Sequence, residues 1–190
     1  MIKAIIFDCF GVLQLSGSDY FLQTKVKDYD QLQPEISQIF KAGDYGLMSQ
    51  GEINQAVAEL TGIDVKLIAA NIEGRSVRNK ELIDFMSELR SEFKVALLSN
   101  IGPGSMDKFF SLKERQELFD AVVLSGEENT VKPHRRIYEI CAERLGVAPG
   151  DCVMVDDVID NCYGADAAGM KYIHHQTNAQ TVAAIKRLLQ

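Results

Sequence analysis

Five short apolar runs punctuate the chain, and each ends on a polar residue or a glycine: Ile2–Phe7, Lys94–Leu98, Ala121–Leu124, Cys152–Val155 and Lys171–Ile173. They are rich in Val, Ile and Leu without clean alternation, the pattern of strands covered on both faces. Helical stripes separate them. Leu82, Phe85, Met86 and Leu89 recur at i, i+3, i+4 and i+7. Ile137, Ile140, Cys141 and Leu145 form a second stripe, with Pro133 near its start and Gly146 at its end. Thr177-x-x-Gln180 resembles a capping box ahead of a last helix carrying Val182, Ile185 and Leu189. Strands alternating with helices predict an α/β fold built on a parallel sheet.

The stretch between the first two strands breaks this rhythm, because residues 15–79 carry only helical signals. Leu22, Val26 and Tyr29 give a weak first stripe. Pro34 is expected to open a short helix with Ile36, Ile39 and Phe40, closed by Gly43. Ser49-x-x-Glu52 is a capping box before Ile53, Ala56, Val57 and Leu60, with Gly62 as the stop. Asp64 can cap a fourth helix with Val65, Ile68, Ala69 and Ile72. Four helices in one crossover far exceed the usual connection of roughly 2–6 residues. They predict a small inserted helical bundle over 15–79, with 1–14 and 80–190 forming the core and hinges at 14–18 and 74–79.

Bulk properties narrow the function classes. The length of 190 residues suffices for one core and a small insertion. A net charge of −7 without a Lys/Arg block argues against nucleic acid or an anionic membrane as partner. No apolar stretch approaches the length of a membrane span, and Ile2–Phe7 is too short for a signal segment. Cys9, Cys141, Cys152 and Cys162 form no CxxC pair and have no His at metal spacing. They read as buried free thiols, which suits a cytoplasmic protein.

In an open parallel sheet, ligands bind beyond the C-terminal strand ends. The first strand delivers Asp8 there, and the second delivers Ser99 and Asn100. The third delivers Ser125-Gly126, with Lys132 opening the next helix, and the fourth delivers Asp156 and Asp157, then Asp160 and Asn161. Singly, each is an ordinary turn or cap residue. Together they suit a phosphoryl group held with a hard divalent cation: carboxylates for Mg²⁺, a lysine point charge, and hydroxyl and amide donors. "IGPGSMD", residues 101–107, lacks the third glycine of a dinucleotide loop. His134, His174 and His175 fall outside this set and read as surface or helix-start residues.

The order of these motifs resembles the haloacid dehalogenase-like (HAD) hydrolase superfamily over nearly the whole chain. "IIFDCFGVL" is similar to its first motif, "VALLSN" to its second, "VKPHRRIYEICAERLGV" to its third and "VMVDDVIDNCYGADAAGM" to its fourth. A response-regulator receiver domain uses similar residues in the opposite order. The resemblance implies a Rossmann-like core with a helical cap inserted after the first strand. It also implies Asp8 as nucleophile, with Mg²⁺ held by Asp8, the Phe10 carbonyl and Asp157, and Asp156 close by. Phosphate would be held by Ser99, Lys132 and the amides around Phe10, Gly11 and Asn100, under a cap that closes over the site.

One position departs from the pattern. Phosphatases of this superfamily carry a second Asp where this chain has Phe10, and that Asp protonates the leaving alcohol. Its loss is expected to cost roughly 10²–10⁴-fold in rate, so restoring Asp there should raise phosphatase activity. The leading expectation is a Mg²⁺-dependent phosphatase acting on a small phosphorylated metabolite, slow on alkyl esters. A 2-haloacid dehalogenase is the alternative, since a halide needs no proton and those enzymes carry an aromatic residue at this position. The acidic pair Asp156-Asp157 opposes that alternative. A non-catalytic phosphate- and metal-binding module is the third. In the bundle, Tyr20, Asp44 and Tyr45 could face the site, but packing or solvent exposure is the expected role of each.

Overall fold

The computed structural model describes residues 1–15, 18–72 and 77–190. In chain order its strands are β1 (Ala4–Phe7), β2 (Gln14–Leu15), β3 (Val77–Arg78), β4 (Lys94–Ser99), β5 (Ala121–Leu124), β6 (Cys152–Asp156) and β7 (Lys171–His174). Its helices are α1 (Ser18–Lys25), α2 (Tyr29–Asp44), α3 (Gln50–Thr61), α4 (Val65–Ile72), α5 (Lys80–Leu89), α6 (Leu112–Leu118), α7 (Ser125–Glu128), α8 (Arg135–Leu145), α9 (Ile159–Ala167) and α10 (Asn178–Leu188). Two 3₁₀ turns lie at Ser105–Lys108 and Pro149–Asp151.

The five expected strands form one sheet in the order β5-β4-β1-β6-β7, with every neighbouring pair parallel. β1 is central: Ile5 lies opposite Val95 on one side and Val153 on the other. The chain therefore builds outward from β1 first one way and then the other, and the crevice at its C-terminal end is where a ligand fits. Both faces are covered, which explains the missing alternation. Ile5, Phe7, Val95, Leu97, Val153 and Val155 pack with Leu82, Met86 and Ile185 of α5 and α10. Ile6, Leu98 and Met154 pack on the other face with Ile137, Cys141 and Leu145 of α8 and Ala165 of α9. Both stripes read from the sequence thus point at the sheet.

Helices α1 to α4 bury a cluster of their own, including Phe21, Leu22, Ile36, Ile53, Val57 and Ile68. The Ser49–Glu52 capping box is formed, and Gly62 ends α3 in the left-handed region at φ 72°. Three expectations need correction. Residues 15–79 are not purely helical in signal, because Gln14 pairs with Arg78 and Leu15 with Val77 in an antiparallel ribbon. A two-residue strand has no periodicity to read. Pro34 does not open α2; it lies inside a helix that starts at Tyr29, after Asp28 in the left-handed region. At α10 only half of the capping box forms. The Thr177 side chain accepts from the Gln180 N–H, but the Gln180 side chain reaches the Gln176 N–H. Residues 16–17 and 74–76 of the expected hinges lie outside the described residues.

The end of α2 meets the core loops through glycines. A Cβ on Gly102 would lie 3.0 Å from the Gly43 carbonyl, and one on Gly46 would lie 2.9 Å from the Gly126 carbonyl. Among the described residues, no helix is long and apolar enough to cross a membrane.

Candidate active site

Asp8 directly follows β1. Its N–H donates to the Val155 carbonyl at 2.9 Å, so the sheet ladder fixes its position. Its Oδ1 accepts from the Cys9 N–H at 2.7 Å and lies 2.6 Å from Lys132 Nζ. The same Nζ is 2.7 Å from Asp156 Oδ2. All three side chains are buried. Burial pushes the Asp8 carboxyl up to about 7, against the pull of Lys132. Burial alone would lower the Lys132 ammonium, but Asp8 and Asp156 outweigh it and hold it above the usual lysine range.

Asp156 is saturated by the protein. Its Oδ1 accepts from Val158 N–H at 2.9 Å and Asn161 Nδ2 at 3.0 Å, while Oδ2 accepts from Lys132 and again from Asn161 at 3.2 Å. Asp157 differs. Its Oδ1 is buried without a partner, and burial raises its carboxyl. Its carboxylate sits against residue 11, where an added Cβ would lie 2.2 Å from Asp157 Oδ2. Gly11 is at φ 80° and leaves room for that approach. Asp8, Asp156 and Asp157 each offer an oxygen within 4.8 Å of the others. Three carboxylates face one lysine, and a buried acceptor stands open. This donor set fits a hard divalent cation that takes oxygen ligands.

Ser99 closes β4 and is fully buried, and its hydroxyl has no partner. Asn100 braces the lysine: its Oδ1 accepts from Lys132 N–H at 2.8 Å and its Nδ2 donates to the Lys132 carbonyl at 3.0 Å. Its side chain is thereby committed to structure. The Gly11 N–H, expected to reach phosphate, instead donates to the Gln14 carbonyl at 2.8 Å. That amide is already satisfied, because the turn after β1 closes on itself.

A cavity of about 500 Å³ opens over these groups, and its walls include Asp8, Phe10, Gly11, Asn100, Lys132, Asp157 and Asn161. Ser99, fully buried, is not among its lining residues. Helices α2 and α3 and the turn between them add Phe40, Asp44, Met48 and Ile53 to the wall. Phe10 meets Phe109 edge-on, ring centroids 4.9 Å apart. The position of the superfamily's second carboxylate is thus filled by an aromatic pair. Asp44, expected to pack or face solvent, is on the cavity wall. Tyr45 is not among its lining residues, and the Tyr20 side chain lies outside the described residues.

Asn161, at the same strand end and without an expected role, proves to hold both oxygens of Asp156. The signal was an amide five residues after a strand-terminal Asp. Two of the three histidines depart from the expected surface or helix-start placement. His134 caps α8 as expected. His175 is buried and bonded to Thr181, and His174 Nε2 lies 2.9 Å from the Asp157 carbonyl.

The model of the haloacid dehalogenase-like hydrolases matches residues 2–169. The chain belongs to that family. Among HAD relatives, human N-acylneuraminate-9-phosphatase is 39% identical over 87 residues, which cover 45% of this chain and 35% of that protein. The chain thus spans about a third of the length of that relative. A sesquiterpene phosphatase of Aspergillus oryzae is 22% identical over 98% of this chain and 96% of that one. A HAD enzyme of Bacteroides thetaiotaomicron, solved in complex with magnesium and inorganic phosphate, superposes with a TM-score of 0.74. It is 24% identical and covers 94% of this chain and 96% of that chain, a likeness of fold.

Proposed function

We propose that this HAD protein is a Mg²⁺-dependent hydrolase of small phosphate esters, with Asp8 as nucleophile and residues 15–79 as a cap. The observation that carries this reading is the open, buried Asp157 Oδ1 beside Asp8 and Asp156, with one lysine to balance them. Asp8, Asp157 and the Phe10 carbonyl would hold the ion. Asp156 serves better as the group that positions Lys132, because its oxygens are already occupied. Bound there, Mg²⁺ supplies positive charge that offsets the carboxylates and the phosphoryl oxygens.

The protein's own groups divide the remaining work. Lys132 and the Cys9 N–H hold Asp8 Oδ1, which leaves Oδ2 to attack phosphorus. Ser99 offers its unpartnered hydroxyl, and the Asn100 N–H can donate to a phosphoryl oxygen. The insert keeps water out of the cavity. Phe40, Met48 and Ile53 on its wall favour an ester with an apolar body. The sesquiterpene phosphatase relative acts, by its name, on such a compound.

Phe10 favours a second reading, dehalogenation, because a halide leaves without a proton. Two measurements separate the readings. The first expects Mg²⁺ binding by calorimetry, lost in Asp157→Asn, together with Mg²⁺-dependent hydrolysis of an aryl phosphate. Metal-independent chloride release from 2-chloropropionate would overturn it in favour of the second. Phosphate binding with neither activity would overturn both and leave a binding module.

A further inference from the structure

We propose that Asp44 of the helical insert is the proton donor that residue 10 cannot be, protonating the leaving oxygen of the phosphate ester. This rests on the phosphate-ester reading above. Asp44 is the last residue of α2, and the core fixes its main chain. The Ser125 hydroxyl donates to the Asp44 carbonyl at 2.5 Å and itself accepts from Ile101 N–H at 2.9 Å. The flanking glycines, Gly43 and Gly46, close onto the loops after β4 and β5. So Asp44 is set rigidly on the cavity that also exposes Asp8 and Lys132.

Its carboxylate makes no hydrogen bond or ion pair with any described residue. A partly buried carboxylate without a partner is costly, and such groups concentrate where chemistry uses them. Burial pushes its carboxyl up to about 6, against the pull of Lys132. Near neutral pH both its acid and base forms are populated, as a group that gives and then takes a proton requires.

The exchange balances. Asp8 Oδ2 bonds to phosphorus, and the bond from phosphorus to the leaving oxygen breaks. The electron pair stays on that oxygen, which takes the Asp44 proton. Water then attacks phosphorus and gives its proton to the Asp44 carboxylate. The phosphorus–Asp8 bond breaks, and both carboxyl groups return to their starting states.

The test is Asp44→Asn in the full chain with Mg²⁺. The side chain makes no structural bond, so the variant should fold. kcat/KM is compared for an alkyl phosphate and for 2,4-dinitrophenyl phosphate, whose leaving group needs no proton. The expected result is a loss of about 10²-fold or more on the alkyl ester and less than roughly 5-fold on the aryl ester. The aryl ester should also show a burst of one equivalent of dinitrophenolate, as the second half-reaction slows. Inorganic phosphate should bind the variant as it binds wild type, and Asp44→Glu should recover part of the alkyl activity. Equal losses on both esters would make Asp44 a binding or structural residue and overturn the assignment, as would no loss on the alkyl ester. A wild type that cleaves neither ester overturns the phosphatase reading itself, and this inference with it.

Discussion

Replacing Lys132 with methionine removes, among the described residues, the one cation in contact with both Asp8 and Asp156. Its Nζ lies 2.6 Å from the first and 2.7 Å from the second, and its side chain is 1% exposed. Methionine keeps much of the stem's volume, so the loss is mainly electrostatic. Asp156 would keep its bonds from Val158 and Asn161, whereas Asp8 would keep only the Cys9 N–H. Deleting one partner of a buried pair costs roughly 3–5 kcal/mol. The cost should also depend on pH. Burial already raises Asp8 to about 7 while Lys132 pulls it down, so the variant's Asp8 must titrate higher still. A raised folded-state value gives stability that is complete below the unfolded value of about 3.9 and is lost as pH climbs through the folded value. Wild type stops losing it near pH 7, whereas the variant continues to lose about 1.4 kcal/mol per pH unit. Urea unfolding in chelator should therefore show a gap of roughly 3 kcal/mol at pH 6 that widens between pH 7 and 9. A gap below about 1 kcal/mol, or one equal at pH 6 and 9, would refute the account of Lys132 as the shared counter-charge.

Two further substitutions probe the frame around the site. Gly164→Ala in α9 should gain about 1 kcal/mol of helix propensity, yet its Cβ would lie 2.4 Å from the Pro133 carbonyl, beside Lys132. The expected outcome is a net loss of about 1–3 kcal/mol in thermal unfolding, and a stabilised variant would contradict the close approach. Phe10→Asp should lose the edge contact with Phe109, about 0.5–1.5 kcal/mol. In the Asp44→Asn background the same change should raise alkyl-phosphate kcat/KM by about 10-fold or more, measured by phosphate release.

The sheet was legible because strands buried on both faces leave unbroken, if short, apolar runs, and all five runs became strands. Part of the candidate site follows from the same pattern: the runs of β1 and β6 end beside Asp8 and Asp157, which line the cavity, whereas Ser99 and Asp156 at their strand ends are fully buried. What the sequence hid was of two kinds. Short elements such as the Gln14–Leu15 and Val77–Arg78 ribbon carry no period. Side-chain commitments depend on distances across the fold. Asn100 and Lys132 are distant in sequence, yet their reciprocal bonds take the Asn100 side-chain amide, though not its main-chain N–H, away from any ligand. Asp44 could not be placed from its helix, because its position depends on Ser125 and Gly126 of a loop remote in sequence.

The electrostatics of the pocket also constrain how it can be filled. If all three are ionised, Asp8, Asp156 and Asp157 set three negative charges against the one positive charge of Lys132. An anion approaching to 4 Å of one uncompensated carboxylate meets about 4 kcal/mol of repulsion at an effective dielectric constant of 20. Yet two buried polar atoms at these strand ends stand open, with opposite preference. The Ser99 hydroxyl can donate to an anion, and Asp157 Oδ1 can bind only a cation or a donor. A cation alone leaves the hydroxyl unsatisfied, and an anion alone meets the carboxylates. Both groups find partners when a cation and an anionic ligand enter together. Cation and anion binding are therefore expected to be coupled, through the same few side chains that are proposed to do the chemistry.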